Sequence, residues 1–179
     1  MKKFIKQFFT GIFLIFAGVI VSSAFAAENS YRLSGGDRIK VIVYGEADLS
    51  LETTLDDSGV INYPFMGEIV VEGITVKTLE EKIYNHLKGD YLINPSVDVS
   101  IESYRHFFVN GQVKRPGGYP YQPGLTLRRA ISLAGGYTER ASKKNTFVIH
   151  QKQPEKRIRL KQSSKIKPGD TITVEQSFF

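Results

Sequence analysis

The residues with the widest chemical repertoire are His86, His106 and His150, and their spacing does not suit a shared task. None stands in an HxxxH or HExxH frame, which would turn two imidazoles towards one metal ion. All three are expected at the surface or at the rim of a domain. Asp56 and Asp57 supply two carboxylates side by side, but neighbours in a turn point apart, and Asp is a common turn former. No serine sits in a GxSxG frame. The glycine pairs that begin at 35, 117 and 135 lack the GxGxxG and GxxxxGK[ST] patterns of phosphate-cradling loops. The chain has no cysteine, which excludes disulfides, thiolate metal sites and a cysteine-anchored lipid. The expectation is a protein that is not an enzyme, with no catalytic residue, no cofactor and no bound metal.

Binding chemistry is better represented. Tyr104, Phe107, Phe108, Tyr119 and Tyr121 are interleaved with Arg105, Lys114, Arg115, Arg128 and Arg129. Aromatic faces stack on sugar rings, and guanidinium or ammonium groups pair with uronate or phosphate. Lys114, Arg115, Tyr119, Tyr121, Arg128 and Arg129 are therefore the candidate contacts with a polymer or with another subunit. The same residues have plainer explanations. The aromatics, Phe107 above all, can fill a small core, and the arginines can cover a solvated face.

Most of these residues fall in 109–136, VNGQVKRPGGYPYQPGLTLRRAISLAGG, which reads as strand, loop, strand, turn and helix. Thr126 is placed to cap the helix, and Leu127, Ala130, Ile131 and Ala134 recur at helical spacing. Gly135-Gly136 supplies the stop. A short helix after a bent hairpin opens a β-grasp unit. After it, Phe147-Val148-Ile149 reads as a strand, residues 154–157 as a turn, 158–160 as an edge strand and 171–174 as a last strand.

The preceding half has its own signals. Ile39, Val41 and Val43 alternate as a half-buried strand. Residues 51–55, the turn 56–59 and residues 60–63 carry a hairpin signature, and residues 68–71 form a further strand. Thr78 and Glu81 are spaced as a capping box, ahead of a helical face of Leu79, Ile83 and Leu87 that stops at Gly89. Val97, Val99 and Ile101 alternate again. Gly169-Asp170 before the last strand echoes Gly36-Asp37 before the first, either as a repeat or as a common way of turning into a strand. The fold class is α+β, with two small domains, each a mixed sheet carrying one helix: 27–104, and a β-grasp at 105–179.

Residues 1–26 are read as a cleavable signal peptide. Lys2, Lys3 and Lys6 precede an apolar run of about 14 residues, short of the roughly 20 that span a bilayer, and Ala24-Phe25-Ala26 fits the cleavage pattern. Cleavage between Ala26 and Ala27 sends the chain to the periplasm or beyond. Residues 27–104 then carry 6 basic and 14 acidic side chains, a net of −8, while 105–179 carry 15 and 4, a net of +11. Such halves can associate head to tail into rings or filaments, or can stand as two solvated surfaces of one monomer. Nucleic acid is a poor partner for an exported chain.

Tyr31-Arg32-Leu33, Gly36-Asp37, Gly45-Glu46, Asp57-x-Gly59, Pro64, Gly67, Gly73 and Asn94-Pro95 together resemble the polysaccharide biosynthesis/export domain of outer-membrane exporters. Val109-x-Gly111-x-Val113, Pro116-Gly117, Thr126-Leu127, Ala134-Gly135-Gly136 and Pro168-Gly169-Asp170 resemble the SLBB β-grasp domain that follows it in that family. The resemblance implies a subunit of a capsule or exopolysaccharide export conduit. It implies ring assembly with copies of itself, a polysaccharide cargo and coupling to an inner-membrane chain-length protein. The sequence has no lipobox cysteine and no candidate for the pore-forming helix of long members, so a separate outer-membrane barrel is expected, with the protein periplasmic and associated with the outer membrane. The alternative is a monomeric periplasmic glycan-binding adaptor.

Overall fold

The computed structural model describes residues 31–177; the expected signal peptide and the expected Ala26–Ala27 cleavage site lie outside them. The architecture is α+β and has two separate hydrophobic cores. In the first half, strand β1 (Arg38–Val43) buries Ile39, Val41 and Val43, as its alternation requires. It pairs antiparallel with β2 (Leu51–Thr54) on one side and β5 (Val97–Ser103) on the other. A 3-10 turn at Ala47–Leu49 joins β1 to β2. Strands β3 (Val60–Tyr63) and β4 (Gly67–Val70) form a separate two-stranded hairpin.

The expected hairpin of residues 51–63 is therefore replaced. Asp56–Gly59 is a turn: the Asp56 carboxylate accepts from the Ser58 amide at 2.9 Å. It redirects the chain out of one sheet into the next, since β2 already pairs with β1, and the Gly59 carbonyl is taken by the amides of Val71 and Glu72. Turn chemistry marked the bend but not the pairing partners.

Helix α1 (Val76–Leu87) lays Leu79, Ile83 and Leu87 on the first core. Its cap lies one turn earlier than the expected capping box. Thr75, not Thr78, is the N-cap, and its hydroxyl accepts from the Thr78 amide at 3.1 Å. Ile74 before the cap and Leu79 inside the first turn pack into the same core, which fixes the earlier start.

The second half has β6 (Phe107–Gly111), β7 (Gly117–Tyr119), α2 (Leu127–Leu133), β8 (Ala141–His150), β9 (Gln153–Arg159) and β10 (Thr171–Gln176). The sheet order is β7-β6-β10-β8-β9, and β10 runs parallel to β6 while the other pairs are antiparallel. A hairpin, a helix and a last strand inserted parallel beside the first make this the β-grasp arrangement. Leu127, Ala130 and Ile131 of α2 and Phe107, Val109, Ile172 and Val174 of the sheet form the second core.

Three local expectations change here. The first strand starts at Phe107 and ends at Gly111, where φ is 83° and an added Cβ would lie 2.1 Å from the Val174 carbonyl oxygen. Thr126 is the N-cap of α2 by position, but its hydroxyl caps nothing, because the carbonyls of Ser164 and Gln162 already take the amides of Leu127 and Arg128. Residues 154–157 are not a turn. They belong to β9, an edge strand where Pro154, Lys156, Arg157 and Arg159 suit an unpaired side. Among the described residues, no helix is long and apolar enough to cross a membrane.

Candidate functional site: a basic helix face and the junction of the two cores

The sequence groups six residues, and the structure separates them into two kinds. Lys114, Arg115, Arg128 and Arg129 are exposed. Arg115 is held at the C-terminal end of α2: its amide bonds the Ala134 carbonyl at 2.9 Å and its guanidinium donates to the Leu133 carbonyl at 3.1 Å. The Lys114 amide bonds the Gly136 carbonyl at 3.0 Å. The loop after β6 is thus tied to the helix end, so that Lys114 and Arg115 sit at one end of α2 and Arg128 and Arg129 at the other. Cations at a helix C-terminus are also favoured by the helix dipole.

Tyr119 and Tyr121 lean inwards instead. Both pack on the second core. The Tyr119 ring lies 5.9 Å from that of Phe107, and its hydroxyl donates to the Arg115 carbonyl. Tyr121 meets Tyr104 edge-on at 5.5 Å, and burial pushes its hydroxyl pKa up. Phe107 is completely buried.

The sequence reading missed the junction between the cores. Asp37 is buried, and its carboxylate accepts from the Ser34 amide at 3.0 Å, the Tyr31 hydroxyl at 2.7 Å and the Arg105 amide at 2.9 Å. The Arg105 guanidinium lies 3.1 Å from the same carboxylate. It also donates to the Tyr31 hydroxyl at 2.7 Å and to the Gln151 amide oxygen at 2.9 Å. Burial, followed by the bond to Asp37, raises the Tyr31 pKa far above the ordinary tyrosine value.

Asp170 repeats the turn of Asp37. It accepts from the Lys167 amide at 2.8 Å, three residues back, as Asp37 does from Ser34. Each aspartate amide returns a bond to the same partner's carbonyl. The other Asp170 oxygen holds His150 Nδ1 at 2.6 Å. Arg105 lies against both turns: a Cβ on Gly36 would meet its Cβ at 2.9 Å, and one on Gly169 would meet its Nε at 2.9 Å. The available signal was the Gly-Asp echo. Its partner, an arginine that opens the second half, carried no motif.

Residues 26–102 match the family described as polysaccharide biosynthesis/export protein, and residues 107–160 match the SLBB domain. The chain is similar to the exopolysaccharide production protein ExoF of Rhizobium meliloti (strain 1021), with 30% identity over 140 residues, covering 72% of this chain and 33% of that protein. The chain thus spans about a third of the length of that relative.

Proposed function

Because this chain belongs to the polysaccharide biosynthesis/export family, we propose that it is a non-enzymatic subunit of an export conduit for a capsular or extracellular polysaccharide. The observation that carries this reading is the ordered pair of an export domain and an SLBB domain in one chain. The separate hydrophobic cores support domains at 27–104 and 105–179. The protein acts in the periplasm at the outer membrane, after removal of residues 1–26 between Ala26 and Ala27.

Assembly is by like copies, head to tail. Its support is the charge segregation, net −8 in 27–104 and net +11 in 105–179. Lys114, Arg115, Arg128 and Arg129 stand exposed in the basic half and face the acidic half of the next copy, with polymer contact as their second use. Tyr119 and Tyr121 act by shaping that surface from below. The conduit is completed by an inner-membrane chain-length protein and a separate outer-membrane barrel.

Native mass spectrometry of the mature chain tests the assembly. A stable ring is expected; a monomer that still binds polymer favours a periplasmic adaptor. Deletion of the gene is expected to stop polysaccharide secretion while intracellular synthesis continues. Unchanged secretion overturns the export reading. Permeabilisation of bilayers by the purified protein alone removes the need for a barrel partner.

A further inference from the structure

A cleft of about 560 Å³ opens where the two cores meet, between the Gly35-Gly36 turn and the sheet face opposite α2. That volume lies within the range of small-ligand sites. Phe108 forms one wall. It alternates with the buried Phe107, so its side chain points away from the second core, and it is 47% exposed. Across the ladder it pairs with Gly118, where even a Cβ would lie 3.0 Å from the ring. The glycine lets the ring lie flat on the sheet, with its remaining surface in the cleft.

Polar groups converge on the same space. Asp170 holds His150 Nδ1 at 2.6 Å, which orients the ring and leaves Nε2 for a ligand. Gln151 gives its oxygen to Arg105 and keeps its amide NH2 unengaged among the described residues. Thr171, His106 and Asp57 also line the cleft. The charges around the cleft are largely paired, which favours an uncharged ligand. The guanidinium of Arg105 is neutralised by Asp37, Asp170 stands behind His150, and Asp57 is exposed at the edge.

We propose that this cleft binds an uncharged sugar residue of the polysaccharide, one ring face stacked on Phe108 and its hydroxyls bonded to His150, Gln151 and Thr171. The proposal rests on the export reading and names a subsite and a substrate class for it. An aromatic wall with interleaved donors and acceptors matches the amphipathic faces of a hexose. The site is separate from the basic α2 surface and has the opposite preference, so an acidic polymer that steers to the arginines does not compete here.

The test uses the mature protein, labelled with 15N, titrated with neutral hexaoses of glucose and of galactose and with an oligogalacturonate of equal length. Amides of residues 106–108, 149–151 and 169–171 should shift with a neutral oligomer. Phe108→Ala should weaken that binding about tenfold at unchanged melting temperature, and Phe108→Trp should restore it. Shifts confined to α2, tighter uronate binding at these amides, or wild-type affinity in Phe108→Ala overturns the proposal, as does the absence of shifts with either neutral oligomer. Both variants are also returned to a deletion strain. If deletion leaves secretion intact, the export reading fails whatever the titration shows. If deletion stops secretion and the cleft amides stay still, this inference fails alone.

Discussion

Asp37 receives both the backbone amide and the guanidinium of Arg105, at 2.9 and 3.1 Å, across 68 residues of sequence. The aspartate closes the turn into β1, and the arginine stands just before β6. The first strand of one sheet is therefore tied to the entry of the next through a buried carboxylate. Replacing Asp37 by Ala strands a guanidinium that is only 12% exposed and should cost about 3–5 kcal/mol. Arg105→Met should cost less, because Asp37 keeps its bonds to Ser34 and Tyr31. The double variant should be more stable than the sum of the single losses predicts. Urea unfolding followed by circular dichroism measures all three, since the chain has no tryptophan.

Tyr31 gives this junction a pH dependence. Its folded pKa is raised above the ordinary 10.0, so the fold favours the protonated hydroxyl. The resulting stability is complete below about pH 10 and is lost above it, as the unfolded chain ionises first. Tyr31→Phe should cost about 1–2 kcal/mol at pH 7 through the lost bonds to Asp37 and Arg105. The gap from wild type should narrow as the pH rises beyond 10. A constant gap from pH 7 to 11 removes this account.

Gly111→Ala tests the end of β6. The φ of 83° and the 2.1 Å approach to the Val174 oxygen leave no room for a methyl group. A loss of at least about 3 kcal/mol is expected, read as a lower melting temperature and as faster amide exchange in β6 and β10.

Much of this was legible beforehand, and the exceptions have physical causes. The helical faces and the strands of both cores follow from side-chain periodicity, which senses burial directly. The β-grasp followed from hairpin, helix and stop, and Phe107 was placed in the core. Pairing of β2 with β1 was not legible, because turn residues record where a chain bends and not what it meets afterwards. The N-cap of α2 was placed correctly at Thr126, but its hydroxyl bond is absent, because the carbonyls that take the first amides, those of Gln162 and Ser164, lie more than thirty residues downstream. His150 looked isolated for the same reason: Asp170 reaches it only through the sheet.

Thr146 offers a gain of stability. Its hydroxyl oxygen is buried and has no hydrogen-bond partner among the described residues. Thr146→Val keeps the shape and removes the unpaired group, and should stabilise by about 1 kcal/mol in thermal unfolding.

Arg128→Ala with Arg129→Ala should leave stability within about 0.5 kcal/mol, since both side chains are exposed. Sedimentation should show weakened self-association, with the wild type losing its own association as salt rises. Unchanged assembly in the double variant moves the interface away from α2.

The position of β10 bears on when the protein can fold. It lies between β6 and β8 and pairs with both, yet it is the last in chain order of the described strands. Until residues 171–176 leave the ribosome, β6 and β8 have nothing between them, and the second core lacks Ile172 and Val174. Such non-local closure is slow. The second core of such a chain therefore closes only when residues 171–176 arrive, whereas the first core needs nothing beyond β5.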